Sequence, residues 1–237
     1  MEIWWIILIA VIIIALLSII LAVGNFAGEK FNDMYKKMFS MQANVPKTVL
    51  EVINEQNFEC FSGKLKLART KRKANDSYNS KHKMLVLSDE TLASNSVGAF
   101  TIVAHELGHA LQDLEGKKLK AMNVLHAIGW IVGKFFLPAV IATIVLIFFE
   151  NLTTYAIITG AVAAAIFVFA VIIKLITISI EKDASKRALQ ILDEFMPDDQ
   201  LKEAKKFLSS ARLTYWSDLV RLLFGWSGLV KRTKMFK

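Results

Sequence analysis

Three long apolar runs constrain this chain more than any other feature. The first is "IWWIILIAVIIIALLSIILAV", residues 3–23; the second ends in "FFLPAVIATIVLIFF", residues 135–149; the third begins with "YAIITGAVAAAIFVFAVII", residues 155–173. A helix crosses the hydrocarbon core of a bilayer with about 20 apolar residues, so each run is long enough to form a span or the greater part of one. Glu2 precedes the first run where a secretory signal carries basic residues, and the run exceeds a signal-peptide core, so an uncleaved anchor is expected. Only "ENLTT", residues 150–154, separates the other two, which predicts a tight transmembrane hairpin. With 54% hydrophobic residues in 237, the chain is more apolar than an ordinary soluble domain.

The basic residues orient these spans. Residues 24–123 carry 15 Lys and Arg and residues 182–237 carry 12, whereas the amino-terminal flank and the hairpin tip carry none. Lys134 and Lys174 lie at the ends of the hairpin helices remote from the tip. At 1.5 Å per residue Lys174 stands about 28 Å from Tyr155, roughly one hydrocarbon thickness. The positive-inside rule then predicts the amino terminus outside, residues 24–123 inside, the tip outside and the tail inside, a multi-pass protein of the plasma membrane. This asymmetry also accounts for the net charge of +8. Nucleic acid is not expected as a partner, because the basic loop "RTKRKANDSYNSKH" holds one aromatic residue, Tyr78, and no stacking platform. The single cysteine, Cys60, excludes an intramolecular disulfide framework and a multi-cysteine zinc site.

Between the spans the pattern is mixed. Pro46 suits the first turn of a helix over "KTVLEVINEQ"; "KLKLA", residues 64–68, alternates like a strand, and "KMLVL", residues 83–87, reads as another. Ser88 or Ser96 can cap the helix "VGAFTIVAHELGHALQDLE", which Gly116 is placed to end. After the hairpin, separate helices are expected over "EKDASKRALQILDEF", "PDDQLKEAKKFLSSARL" and "TYWSDLVRLLFGWSGLVKR", the last amphipathic and lying at the inner interface.

Two of the four histidines, His105 and His109, fall on the long central helix four residues apart, with Glu106 beside the first. That spacing puts both imidazoles on one helix face, where they can share an ion. Glu106, one position on, is set to reach a water at the ion rather than the ion itself. Metal-assisted hydrolysis needs this division: Zn²⁺, one per chain, makes water acidic and polarises a carbonyl, and a carboxylate moves the proton. A histidine pair can also be plain core, but the helical setting and the small Gly108 favour an ion. For a third ligand, no histidine follows at short spacing; His82, His126 and a glutamate from a later helix remain. Glu181 leads among these, because the third span ends near Lys174 and delivers Glu181 to the same side as the central helix. Ser185 and Asp113 are candidates to orient the ligands, and Asp183 to pair with Arg187.

"HELGHALQ" after a "KMLVLS" strand, then "EKDASKRAL" beyond a hairpin, resembles the YugP-type neutral zinc metallopeptidases of bacteria. "DSYN" and the tail "AKKFLSSARLTYWSDLV" add to the likeness, which covers most of residues 76–220. The resemblance implies His105, His109 and Glu181 as zinc ligands and Glu106 as the catalytic glutamate. It departs where Asp218 and Arg221 interrupt a helix that is more apolar in the family. The expectation is a mainly α integral-membrane zincin, gluzincin-like (HExxH…E), with a small β-sheet, three transmembrane helices and a possible interfacial fourth. Its regions are an anchor (1–23), a cytosolic catalytic region (24–123), a hairpin (124–180) and carboxyl-terminal helices with the third ligand (181–237). The expected activity is hydrolysis of peptide bonds in membrane proteins or in peptides at the cytoplasmic face, with Lys83–Leu87 as an edge strand that pairs with extended substrate. The rival reading is a non-catalytic basic membrane scaffold with a structural or vestigial metal site.

Overall fold

The computed structural model describes residues 3–72, 75–116 and 118–224. The chain is mainly helical, with one small mixed sheet, and divides into two compact units. Among the described residues, the first comprises 3–28, 124–176 and 215–224; the second comprises 29–72, 75–116, 118–123 and 177–214.

Met122–Leu146, which takes in most of α5 (Lys118–Gly133) and all of α6 (Phe136–Leu146), and Glu150–Asp193 are helical stretches long and apolar enough to cross a bilayer, and their residues 124–146 and 150–176 belong to the first unit. Their outward faces carry Ile128, Trp130, Phe135, Ile141, Ile157 and Val168, all exposed. Water penalises such a surface and lipid does not. A small buried core of Phe136, Ala163, Ile166, Ala170 and Leu219 holds this unit together. Thr143 and Thr159 hydrogen-bond across the hairpin at 2.9 Å.

Several elements run further than their sequence punctuation suggests. Helix α1 spans Ile3–Ser40, so the expected anchor continues without a linker through Gly24 and Gly28. Helix α7, Thr153–Asp193, carries the third apolar run and "EKDASKRALQILD" on one axis. Helix α8, Asp198–Phe224, likewise joins two segments expected to be separate. None of these stretches contains the proline needed to break a helix, and glycine alone costs only about 1 kcal/mol. The segment expected to be amphipathic, residues 214–232, forms the end of α8 as far as Phe224, and from residue 225 it lies outside the described residues.

The second unit is built around α4 (Val97–Glu115), and α2 (Val49–Phe61) and the sheet pack on it. Its core includes Phe31, Met38, Val49, Leu85, Leu87, Phe100, Leu107, Leu192 and Phe207. Helix α2 starts at Val49 rather than at Pro46. Thr48 is its cap and forms a reciprocal capping box with Glu51, which satisfies two free amides at once. The turn after α2 passes through Ser62 (φ 51°) and Gly63 (φ 73°), and the left-handed position at 63 suits glycine.

The sheet has the order β1-β3-β2, with β1 Lys66–Thr70, β2 Ser77–Asn79 and β3 Met84–Ser88. β1 runs parallel and β2 antiparallel to β3. The predicted "KLKLA" strand is therefore shifted two residues on, and β2 forms inside what reads as a long loop. β3 is the central strand, so Lys83–Leu87 is not a free edge; both of its sides are already paired. Its Leu85 and Leu87 are fully buried, as a central strand requires. Ser88 caps a separate short helix, α3 (Asp89–Ala93), and Ser96 caps α4.

Candidate metal centre

Nearly every side chain of α4 from Val97 to Ala110 is buried, on all faces. A helix apolar all round belongs in a core, and "VGAFTIVA" supplies that character. The polar residues that follow are thereby carried into the interior: His105 is 9% exposed, Glu106 3% and His109 8%. Burying three ionisable groups in so few residues is costly unless they are paired or hold an ion.

The partner arrives from α7. Glu181, 8% exposed, places Oε2 3.1 Å from His105 Nε2 and 3.4 Å from His109 Nε2. The imidazole rings meet edge to face, 4.8 Å between centroids. Close approach of the two helices makes this possible. A Cβ on Gly108 would stand 2.5 Å from the Ala184 carbonyl oxygen, so only glycine lets α7 come this near. Gly108 thus makes room for a neighbouring backbone rather than for the site itself.

Among the described residues, the ligand atoms of His105, His109 and Glu181 form the one such group, all within 4.8 Å of one another. His82 is exposed, its amide held by the Asn79 side chain at the β2–β3 turn, and neither it nor His126 joins the group. The donor set fits zinc. With Zn–N and Zn–O bonds near 2.1 Å, tetrahedral ligand atoms stand about 3.4 Å apart, and the histidine–glutamate separations of 3.1 and 3.4 Å lie just below and at that value. Burial pushes the Glu106 carboxyl above its ordinary range, opposed by the two imidazoles. For His109 burial acts downward, but the Glu181 carboxylate, joined by Glu106 and the Gln112 hydrogen bond, outweighs it and brings the imidazole up to about 9.

With that geometry in place, comparison by sequence identifies the chain's relatives. Residues 4–229 match the profile of the family described as "Putative neutral zinc metallopeptidase". The chain belongs to this family. It is also 30% identical over 151 residues to the "Putative membrane protease YugP" of Bacillus subtilis (strain 168). That alignment covers 63% of this chain and 64% of the relative, so the match spans less than two thirds of the relative's length. No solved structure matches the chain. As a zinc metallopeptidase family member, the chain carries in His105, His109 and Glu181 a buried set suited to the family's ion.

The surroundings differ in part from expectation. Asp183 pairs with Arg187 at 3.0 Å as the helical spacing implies, and Arg187 also forks onto Glu115 with two bonds of 2.6 Å. Asp113 does not orient an imidazole. Its buried carboxylate accepts from the Tyr78 hydroxyl at 2.8 Å and from the Lys83 ammonium, tying α4 to the sheet. The residue on His109 is Gln112, whose Oε1 lies 3.0 Å from His109 Nδ1. Sequence reasoning missed Gln112; its position three residues after His109, on an adjoining face of the helix, was the available signal.

Proposed function

We propose that this family member is an integral-membrane zinc-dependent endopeptidase, with His105, His109 and Glu181 as the zinc ligands and Glu106 as general base. The observation that carries the reading is the convergence of those three ligand atoms in a buried cluster, one residue away from a second buried carboxylate. Zinc, when bound there, supplies a Lewis acid that acidifies water and polarises a peptide carbonyl. The chain's own groups do the rest. Glu106 accepts a proton from the attacking water as the new C–O bond forms, then returns it to the leaving nitrogen as the C–N bond breaks. The same carboxylate serves in both directions, so no second acid is required. Nearly complete burial of the cluster restricts access of bulk water to it.

The membrane reading rests on the two described apolar helices and on the apolar run inside α1. In this arrangement residues 1–23 are the anchor, 24–123 the catalytic region, 124–180 the hairpin and 181–237 the carboxyl-terminal helices with the third ligand. The distribution of lysine and arginine favours a multi-pass protein of the plasma membrane with its active site cytoplasmic. Substrates are flexible segments of membrane-associated polypeptides, and the bilayer is the second partner.

Metal analysis and a peptide-cleavage assay on the full chain in lipid nanodiscs test the reading. Glu106→Gln should keep zinc and lose cleavage, whereas Glu181→Ala should lose most of the zinc. Cleavage unaffected by Glu106→Gln rejects the mechanism, and full zinc occupancy in Glu181→Ala removes that residue from the ligand set.

A further inference from the structure

We infer that Gln112 selects the tautomer of His109 and so prepares its Nε2 to receive the ion; this rests on the metal-site reading above. The Gln112 side-chain amide has two hydrogens, and both are claimed by atoms that can only accept. One goes to the Ile180 carbonyl oxygen at 2.8 Å, the other to Asp183 Oδ2 at 2.7 Å. The amide therefore has one orientation, in which Oε1 faces His109 Nδ1 at 3.0 Å. An amide oxygen cannot donate, so Nδ1 must carry the hydrogen. With Nδ1 keeping that hydrogen, Nε2, the atom 3.4 Å from Glu181 Oε2, is the nitrogen left to give up its proton and offer a lone pair to the ion.

The orientation is fixed beyond the amide as well. Asp183 is held by Arg187 Nε at 3.0 Å, and Arg187 is held in turn by Glu115 at the end of α4. A chain of polar contacts thus runs Glu115–Arg187–Asp183–Gln112–His109, linking the two helices that supply the ligands. His105 has no counterpart to Gln112: its Nδ1 is buried and without a hydrogen-bond partner. The two imidazoles are therefore unequal. His109 is the prearranged ligand, and Gln112 is its positioning residue.

The test uses the full chain in nanodiscs, labelled with ¹⁵N-histidine. Zinc affinity is read by chelator competition, and nitrogen resonances show which ring atoms carry hydrogen. In the zinc-loaded wild type, His109 should show a protonated Nδ1 and a metal-bound Nε2. Gln112→Leu, which removes the acceptor at similar volume, should bind zinc about 10–100-fold more weakly and lose the fixed Nδ1–H signature. Gln112→Glu combined with Asp183→Asn, which restores an acceptor to Nδ1–H and supplies a donor where the Asp183 carboxylate would repel the new one, should recover part of the affinity and the signature. Unchanged affinity and an unchanged His109 spectrum in Gln112→Leu overturn the inference while leaving the ligand set intact. Metal bound through His109 Nδ1 in the wild type overturns it without any variant. A wild type that takes up no zinc at these histidines overturns the metal-site reading instead.

Discussion

Gly108→Ala isolates the contact on which the metal centre depends. The added Cβ would stand 2.5 Å from the Ala184 carbonyl oxygen, 3.2 Å from its carbon and 3.3 Å from its Cα. All three atoms are backbone in the middle of α7, so no side chain can swing aside. Ordinary contact begins at 3.4 Å, and the helices must part by about 0.9 Å to reach it. Glu181 lies three residues before Ala184, about one turn, and retreats with it. Its separations from the histidine nitrogens, 3.1 and 3.4 Å, would then widen to about 4 Å. A zinc tetrahedron requires about 3.4 Å. Zinc affinity should fall by at least about 10-fold, comparable with the loss of a supporting contact. Overpacking should also cost about 1–3 kcal/mol, lowering the melting temperature by several degrees. The assay is chelator competition and thermal unfolding of the same preparations. Two other glycines act as controls. Gly116 has nothing within 4 Å and an extended backbone (φ 171°), so Gly116→Ala should change neither quantity. A Cβ on Gly98 would meet the Met38 backbone at 2.9 Å, about two turns before His105, so Gly98→Ala should lower stability while the folded protein keeps its zinc affinity. Wild-type zinc affinity in Gly108→Ala would refute the claim that this close approach sets the ligand spacing.

Other perturbations probe the frame around the site. Tyr78→Phe removes a hydrogen bond to the buried Asp113 carboxylate and should cost about 1–2 kcal/mol in urea unfolding. Combined with Asp113→Ala, its effect should be much less than additive, and strict additivity would show that the two do not interact. Asp76 is buried, and desolvation raises its carboxyl above the ordinary 3.8 despite bonds from Ser88 and Thr91. The folded state therefore holds the Asp76 proton to higher pH than the unfolded chain does. Stability from this group is present below the ordinary value and declines as pH rises through the raised one. Asp76→Asn should flatten that decline in a series of denaturation curves across mildly acidic pH. An unaltered slope would assign the pH dependence elsewhere.

Local periodicity was enough to find α4 and the shared face of His105 and His109, and to narrow the cap to Ser88 or Ser96, because each depends on residues within a few turns. It also made the apolar runs legible, since length and composition decide whether a helix suits a bilayer. Strand β2 was hidden: three polar residues carry no pattern of their own, and pairing with β3 together with the Tyr78–Asp113 contact holds them extended. The central place of β3 was hidden too, because an apolar run looks the same in the middle of a sheet and at its edge. Asp113, one turn from His109, looked well placed to orient it, yet the sheet claims its carboxylate. Gln112 gained its place on His109 because Ile180 and Asp183, 68 and 71 residues away, turn its amide.

From the sequence alone came the helices, the pair of imidazoles with a neighbouring carboxylate, and the candidate acid in the third span's extension. Tertiary structure alone decided that Gly108 of α4 and the Ala184 backbone of α7 come together. It thereby brought Glu181 within 3.1 Å of a histidine 76 residues earlier. The physical reason is one of range. Hydrogen bonding and side-chain periodicity act within a helix, whereas the meeting of two helices depends on the volume of every side chain packed between them.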